Sequence, residues 1–360
     1  MEMVKILVTG VGGGSNGEQI LKALQLSSKK YYIIGGDISP YSKGLHLADK
    51  AYILPPAIDP NYIDVLLNVC EKENVQVLFS GSEPELKVVS CNRNLFKDAG
   101  ILLFINPESV IKLCMDKFHT MEWFNKNGFI FPETKLIQQL DDLNKVDSFP
   151  IVLKPSVGGS GSANVFIAQD KNELQLFGSY LLKIYSQFII QEYIGDAECE
   201  FTVGVLNDME GNLINSIAIK KNILSGLSNR IKLKSHTKNE LLVISNGISQ
   251  GEIGKFPLVT GQCEEIARQL GSTSAINIQC RFVDGKCFVF EINPRFSGTT
   301  SLRAMVGYNE PDVLIRKYLF NESIEKHFPY KEGYIARGLD EIFIETAMVE
   351  KIMQGKASSS

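Results

Sequence analysis

The sequence predicts an α/β domain followed by an α+β region, and three observations lead to this fold class. Short apolar segments alternate with helical segments from Val4 to Ile105. After Pro107, strands follow one another across turns at Asp208–Gly211 and Asp284–Gly285, as in antiparallel hairpins. The length of 360 residues also exceeds one small domain and suits two or three packed subdomains.

The first part of the chain is predicted to form a doubly wound parallel sheet. The predicted strands are Ile6–Thr9, Tyr31–Gly35, Val75–Ser80 and Leu102–Ile105, and the predicted helices are Glu18–Leu26, Tyr62–Glu73 and Glu83–Ala99. Strands that alternate with helices in this way form parallel sheets covered on both faces. We therefore expect such a domain over residues 1–108.

The predicted order of helices and strands changes after Pro107. One long helix is predicted over Ser109–Asn127, and Gly128 suits its C-cap. The strands predicted beyond it are Phe149–Lys154, Val165–Ala168, Phe188–Tyr193, Phe201–Leu206, Leu213–Lys220, Ala275–Phe282 and Phe288–Ile292, with a helix at Glu173–Lys183. We expect two α+β subdomains, over residues 109–190 and 191–325, and a C-terminal extension and tail over 326–360.

Composition narrows the class of protein. The net charge is −4 and there is no basic run, which argues against nucleic acid as a main partner. The seven cysteines form no C-x-x-C pair, which argues against a zinc site or a disulfide framework and suits a reducing compartment. With no apolar run of 18 residues and no signal-like N-terminus, we expect no membrane span and a cytoplasmic location.

The first glycine-rich turn is Gly12-x-Gly14-x-x-Gly17, between a predicted strand and a predicted helix, with Asp37 twenty residues further on. This arrangement is typical of dinucleotide-binding domains, in which a pyrophosphate meets the helix N-terminus and the acid meets a ribose. A single match whose register is imperfect is weak evidence. A dinucleotide site and a turn that serves packing or another ligand both stay open.

The second glycine-rich loop, Ser156–Ser162, follows Lys154 at the end of a predicted strand. Such a loop can fold over a triphosphate with its backbone N–H groups, while the lysine supplies a positive charge. It is not a Walker A loop, because no Gly-Lys-Ser/Thr follows the glycines. The alternative is a mobile hairpin tip without a ligand.

A third motif is the strand that carries Glu291, Asn293 and Arg295. Strict alternation places these three side chains on one face, with Phe290 and Ile292 on the other. Carboxylate and amide oxygens suit Mg²⁺, and an adjacent arginine can neutralise a phosphoryl group. The candidate oxygen ligands are Gln279, Glu291 and Asn293. The alternative is a solvated polar face on an edge strand.

These pieces together resemble the ATP-grasp superfamily, especially the branch with the large subunit of carbamoyl-phosphate synthetase and amino-acid ligases. The resemblance extends from Val4 to about Leu319 and rests on Asp116-Lys117, Phe131–Thr134, Phe149–Pro155, Gln191–Gly195 with Glu200–Val203, and Asn277–Gln279 with Glu291–Arg295, in the family's order. It implies a pre-ATP-grasp domain, a small lid subdomain with a linker helix, and a C-terminal subdomain with the metal site.

The resemblance also implies roles for individual residues. ATP would be bound by Lys117, Lys154, Ser156, Gly158, Gly159, Ser160, Gly161, Glu192, Tyr193, Ile194 and Glu200. Mg²⁺, or Mn²⁺ in its place, would be held by Gln279, Glu291 and Asn293, while Arg295 and Lys154 would act in catalysis. Glu198 is the alternative ribose ligand, because the interval from Glu192 to Glu200 is eight residues where many relatives have seven.

The implied activity is an ATP-dependent ligation of a carboxylate with an amine through an acylphosphate, with small molecules as substrates and a homodimer as an open alternative. Candidate substrate contacts are Glu83, Ser297, Gly298, Thr299 and Arg303, and the polar loop Lys220–Arg230 is a candidate to close over substrate; the alternative for each is a solvated surface residue. Two other functions stay open: a non-catalytic nucleotide sensor with this fold, and a dinucleotide-dependent oxidoreductase that uses Gly12–Gly17.

Overall fold

The computed structural model describes residues 3–158 and 163–355. The predicted phosphate-loop residues Gly159, Ser160 and Gly161 therefore lie outside the described residues, as does the end of the predicted tail, 356–360. In the described part of the chain, no helix is long and apolar enough to cross a membrane.

The N-terminal domain is a five-stranded parallel sheet in the order β3-β2-β1-β4-β5, as predicted. Its strands are β1 (Val4–Thr9), β2 (Tyr31–Asp37), β3 (Lys50–Ile53), β4 (Val77–Phe79) and β5 (Leu102–Leu103). Its helices are α1 (Asn16–Gln25), α2 (Tyr62–Glu73), α3 (Glu83–Cys91) and α4 (Arg93–Asp98), with a 3₁₀ turn at Lys43–His46. Strand β1 is the central strand of this order. Buried apolar clusters cover both faces of the sheet.

Two predicted single helices are each broken in two. The predicted helix over Glu83–Ala99 is interrupted at Asn92, whose side-chain amide donates to the carbonyl oxygen of Val88 at 2.9 Å. The predicted helix over Ser109–Asn127 is divided into α5 (Glu108–Cys114) and α6 (Lys117–Lys126). In both cases a short polar side chain bonds to the nearby backbone and thereby competes with helix continuation.

The lid subdomain contains a four-stranded antiparallel sheet in the order β6-β9-β7-β8. Its elements are β6 (Thr134–Ile137), β7 (Ile151–Pro155), β8 (Phe166–Ala168), α7 (Lys171–Ile184) and β9 (Phe188–Glu192), with a 3₁₀ turn at Leu140–Lys145. Helix α7 packs on the sheet through Leu174 and Leu181. The predicted boundary between residues 190 and 191 falls inside β9, so this sheet extends to Glu192.

The C-terminal subdomain is built on a six-stranded antiparallel sheet in the order β16-β15-β10-β11-β14-β17, with β12 and β13 as a separate hairpin. Its strands are β10 (Glu200–Asn207), β11 (Leu213–Lys221), β12 (Asn229–Lys234), β13 (Leu241–Ser245), β14 (Gly251–Gly254), β15 (Ala275–Val283), β16 (Lys286–Asn293) and β17 (Gly333–Ile335). Its helices are α8 (Pro257–Leu270), α9 (Thr300–Met305), α10 (Glu310–Leu319) and α11 (Thr346–Gln354). Helix α8 buries Cys263 and Ile266 against the sheet.

The loop predicted over Lys220–Arg230 is shorter in the structure and spans residues 222–228. Lys221 is the last residue of β11 and is only 3% exposed, because its ammonium group lies against the carboxylate of Glu200. Asn229 already begins β12. The C-terminal extension also contributes to the fold, since β17 pairs with β14 at the edge of the six-stranded sheet.

Candidate active site

One cavity of about 1000 Å³ is lined by all three parts of the fold. The N-terminal domain contributes the turn after β1 and the start of α3, the lid contributes β7 and the end of β9, and the C-terminal subdomain contributes β10, β15 and β16. Ligand cavities span roughly 300–1,000 Å³, so this one has room for more than one small molecule.

The predicted metal ligands meet on one wall of this cavity. Gln279 and Glu291 are cross-strand partners on β15 and β16, and the Gln279 amide donates to Glu291 Oε2 at 3.1 Å. Asn293 lies two residues along β16, opposite Asn277. Three oxygen-bearing side chains with a single negative charge fit a hard cation that also binds substrate phosphates.

A β-bulge corrects the predicted alternation along β16. The pairing of Gln279 with Glu291 is followed by that of Cys280 with Val289, so Phe290 is the extra residue. Phe290 therefore lines the cavity next to Glu291 instead of facing away, and the prediction for Phe290 is wrong. Ile292 does lie in the core, as predicted.

Arg295 joins the metal wall to the N-terminal domain. Its Nη2 lies 3.0 Å from Glu83 Oε1 on helix α3 and donates to Asn293 Oδ1, also at 3.0 Å. Its Nη1 donates to the carbonyl oxygen of Phe296 at 3.2 Å. Among the described residues its buried Nε has no partner. A guanidinium group with an unpaired donor beside oxygen ligands can bind a further anionic oxygen.

Lys154, at the end of β7, is buried in the cavity wall with 6% exposure. Its ammonium donates to the carbonyl oxygen of Phe290 at 3.0 Å and lies 5.4 Å from that residue's ring centroid. Burial and the nearby charge of Lys117 lower the pKa of Lys154 to about 7, while Glu291 and Glu200 raise it. The lysine therefore titrates near neutrality, and a bound polyanion would favour its charged form.

The side chain of Asp116 joins the start of helix α6 to the glycine-rich loop by hydrogen bonds. Its carboxylate caps α6 by accepting from Phe118 N and His119 N, and it also accepts the Ser156 hydroxyl at 2.6 Å. Lys117 Nζ donates to the carbonyl oxygen of Gly158 at 3.1 Å, so both residues line the cavity mouth. Ser156, a predicted ATP-binding residue, is 1% exposed and is not a lining residue of the cavity, and its hydroxyl donates to Asp116.

The predicted adenine and ribose residues line the same cavity. Glu192 ends β9 of the lid sheet, Tyr193 and Ile194 follow it, and Glu200 begins β10. Glu200 accepts from Lys221 Nζ at 2.8 Å and from the Ser245 hydroxyl at 2.5 Å. The described geometry favours Glu200 over Glu198 as the ribose ligand, since Glu198 is exposed and does not line the cavity.

The charges around Glu200 are balanced inside the protein. Burial would raise the pKa of this carboxyl, but Lys221 and Arg281 outweigh burial and lower it. Arg281 Nη2 lies 3.7 Å from Glu200 Oε2. The carboxylate is therefore held in its charged, hydrogen-bond-accepting form.

Arg281 is a site residue that the sequence reasoning missed. It donates to the carbonyl oxygens of Ile194 at 2.7 Å and Val243 at 2.8 Å, and its guanidinium lies 4.3 Å from the Tyr193 ring centroid. It thereby ties the segment after β9 to the β12–β13 hairpin. The signal was present, because Arg281 follows Gln279 at strand spacing and so shares its face.

At the other end of the cavity, Ser297, Gly298 and Thr299 are lining residues, as is Glu83. Arg303 is not a lining residue. It is 1% exposed, lies 3.1 Å from Glu310 Oε1, and donates to Asn277 Oδ1 at 2.6 Å. The prediction that Arg303 binds a substrate carboxylate is therefore wrong, because a buried carboxylate of the protein already pairs with it.

The first glycine-rich turn has its own carboxylate at the position where a dinucleotide phosphate would bind. Glu18 is 3% exposed, and its Oε2 accepts from Gly14 N at 2.5 Å. Asp37 accepts from the Ser42 hydroxyl at 2.7 Å instead of facing a free ribose site. A side-chain carbon on Gly17 would lie 2.3 Å from the Thr9 carbonyl oxygen, so this glycine allows close packing.

Three family models match successive parts of the chain, and the last two overlap over residues 185–218. They are described as PylC-like, N-terminal domain, over residues 6–104, RimK-like ATP-grasp domain, over 114–218, and ATP-grasp in the biosynthetic pathway with Ter operon, over 185–341. The order of these matches follows the order of the sheets.

Individual curated relatives match the chain at low sequence identity. The arginine-specific large chain of carbamoyl phosphate synthase from Eremothecium gossypii is 23% identical over 315 residues, which cover 82% of this chain and 27% of that one. The chain thus spans about a quarter of the length of the curated relatives it matches.

Two solved structures share the fold. An L-amino acid ligase from Bacillus licheniformis matches with a TM-score of 0.60 at 17% identity, covering 89% of this chain and 75% of that one. The D-alanine–D-alanine ligase from Bacillus anthracis matches with a TM-score of 0.56 at 17% identity, covering 89% and 98%. The chain therefore contains ATP-grasp domain sequence, matched by two overlapping models over residues 114–341.

Proposed function

We propose that the protein is an ATP-dependent ligase that joins a carboxylate to an amine and converts ATP to ADP and phosphate. The observation that carries the proposal is the cavity wall on which Gln279, Glu291 and Asn293 lie beside Arg295, with Lys154 facing them from the lid. The names of the relatives and fold neighbours, which include amino-acid ligases, support the same reaction class.

ATP would lie between the lid and the six-stranded sheet. The segment Glu192–Ile194 would contact the adenine, Glu200 the ribose hydroxyls, and Lys117 and Lys154 the phosphates. Gln279, Glu291 and Asn293 would hold Mg²⁺, which when bound neutralises phosphate oxygens. The γ-phosphate would then point towards Arg295 and the N-terminal domain.

The chemistry needs no nucleophilic side chain of the protein. A carboxylate oxygen of the substrate attacks the γ-phosphorus, the bond to the β,γ-bridging oxygen breaks, and ADP leaves. The amine then attacks the acylphosphate carbon, phosphate leaves with the former carboxylate oxygen, and the amine loses a proton as the amide forms. The residues position the reactants, and Lys154 and Arg295 meet the charge that develops on the phosphoryl oxygens.

The end of the cavity that carries Ser297, Gly298 and Thr299 is polar, and we call it the acceptor end because the carboxylate and amine would bind there. Ser297, Gly298 and Thr299 line this end together with Ser15 and Asn16 from the turn after β1. None of these five residues is aromatic. This lining suits small polar carboxylates and amines better than long apolar acids.

The direct test is ADP release with Mg²⁺ATP across pools of small carboxylic acids and amines. We expect release that requires one carboxylate and rises further with one amine. Binding of Mg²⁺ATP without turnover in any pool would favour a nucleotide sensor instead. A change in nicotinamide absorbance would favour an oxidoreductase.

A further inference from the structure

The C-terminal extension crosses the acceptor end of the molecule as a strap, defined here as residues 333–340. Its first residues form β17 on the edge of the six-stranded sheet, where Ile335 is buried in the core. Its last residue, Asp340, receives two contacts from Lys43 Nζ in the N-terminal domain, at 2.6 Å to Oδ2 and 2.7 Å to the backbone oxygen. The strap is therefore fastened at both ends.

Between these ends, Arg337 is directed into the molecule. Its Nη1 donates to the carbonyl oxygen of Gly298 at 2.9 Å, and its Nη2 donates to Gln19 Oε1 at 2.5 Å. Its backbone N–H donates to Gln250 Oε1 at 3.1 Å. One side chain thus connects the loop at the acceptor end with helix α1 of the N-terminal domain.

Gln19 makes this junction a three-way contact. It is 2% exposed, and its Oε1 also accepts the Ser301 hydroxyl at 2.5 Å. Helix α1, helix α9 and the strap therefore meet at one amide oxygen. Without Arg337, the Gln19 amide oxygen would keep one donor, but the partly buried Gly298 carbonyl would lose the side-chain donor that fixes its direction.

Gly298 itself forms part of the cavity wall. A side-chain carbon at this position would lie 3.3 Å from the Gly247 carbonyl oxygen and 3.9 Å from Asn16 Oδ1. The wall is thus closely opposed by two other lining residues, so a small displacement of Gly298 changes the width of the acceptor end. Arg337 holds Gly298 from behind, outside the cavity lining.

We infer that Arg337 is a positioning residue that sets acceptor affinity by fixing the Ser297–Thr299 wall. The inference rests on the proposed function for its kinetic part, because it assigns this wall to the carboxylate or amine substrate. A planar guanidinium group suits this role, because its N–H groups donate in fixed directions to two oxygens, those of Gly298 and Gln19. An ammonium group does not fix these directions.

The first test needs no substrate. In Arg337→Met, hydrogen exchange of the Thr300 and Arg303 amides, which bond to Ser297 O and Thr299 O, should accelerate about tenfold, while the amides of β10 keep their rates. Arg268→Met, which removes an exposed arginine paired with Glu265 on α8, is the matched control and should change neither. Unchanged exchange in Arg337→Met would overturn the inference.

The second test separates substrate affinity from catalysis. Arg337→Met should raise the KM of the acceptor about tenfold and leave the KM of ATP and kcat within twofold, and Arg337→Lys should recover part of the loss. Equal changes in both KM values would contradict a role confined to the acceptor wall. If Arg337→Met does not fold, Arg337→Lys is measured alone and should raise the KM of the acceptor by a smaller factor, because a lysine cannot reach Gly298 and Gln19 in the fixed directions of the guanidinium group; an unchanged KM would overturn the inference.

The two tests fail in distinguishable ways. If no carboxylate supports ADP release in the wild type, the proposed function fails, but the exchange measurement still decides whether Arg337 fixes the wall. If exchange accelerates and the KM of the acceptor does not change, the Ser297–Thr299 wall does not bind the acceptor substrate. The inference is then wrong, while the proposed reaction stands.

Discussion

At the scale of single residues, Glu291 supplies the only negative charge among the three oxygen-bearing side chains of the metal wall. We predict that Glu291→Ala lowers ADP release about 10²–10³-fold, as expected for the loss of one strong electrostatic contact at the phosphoryl group. The melting temperature should stay close to that of the wild type. Glu265→Ala, which removes an exposed carboxylate on α8, is the control and should keep full activity. Near-normal ADP release by Glu291→Ala would refute the metal assignment.

Lys154 predicts a pH dependence of nucleotide affinity. Its pKa of about 7 means that the free protein loses this charge as the pH rises above neutrality, whereas bound phosphates raise the pKa. Affinity for Mg²⁺ADP should therefore be flat below pH 7 and weaken above it, by up to about tenfold per pH unit, until the pKa of the complex is reached.

The matched variant for this measurement is Lys154→Arg, because arginine stays charged throughout the range. Calorimetric titrations between pH 6 and 9 should give a slope in the wild type and a flatter line in the variant. Equal slopes would mean that the titrating group is the nucleotide or another residue.

At the scale of elements, Asp116 both starts helix α6 and holds the glycine-rich loop through Ser156. Loss of an N-cap destabilises a protein by about 1 kcal/mol. We predict that Asp116→Ala lowers the free energy of unfolding by about that amount and also weakens Mg²⁺ATP binding. Glu122→Ala, an exposed change in the same helix, is the control for urea denaturation and calorimetry. Equal effects of the two changes would refute the coupling of cap and loop.

The first glycine-rich turn predicts a negative result. Because Asp37 bonds to Ser42 and Glu18 bonds to Gly14, neither carboxylate faces a nucleotide. Asp37→Ala should leave the Kd for Mg²⁺ATP within about twofold in a direct binding assay. A loss of tenfold or more would show that the nucleotide site has been misplaced.

Elements with a clear hydrophobic period could be predicted from the sequence, and their irregularities could not. The parallel strands and the hairpin strands follow from apolar runs and turn residues. The breaks at Asn92 and Asp116 depend on which backbone groups those side chains reach in the fold. The bulge in β16 leaves only a subtle trace, since the core residues Val289 and Ile292 are three apart instead of two.

At the scale of the whole molecule, the site depends on contacts between distant parts of the chain. Arg295 and Glu83 are 212 residues apart in sequence, and Arg337 reaches Gln19 across 318. Local patterns could place Glu291 and Lys154 in a site because their motifs are contiguous. Local sequence patterns could not show that Arg303 is paired with Glu310. That pair forms only when the start of helix α10 packs against helix α9.

The central claim is that ATP phosphorylates a carboxylate in this cavity, and oxygen transfer tests it most directly. The protein would be incubated with Mg²⁺ATP, amines and a pool of small carboxylic acids labelled with ¹⁸O, and the released phosphate analysed by mass spectrometry. An acylphosphate predicts one labelled oxygen in each phosphate formed. ADP release with unlabelled phosphate, or release that does not require a carboxylate, would contradict the account.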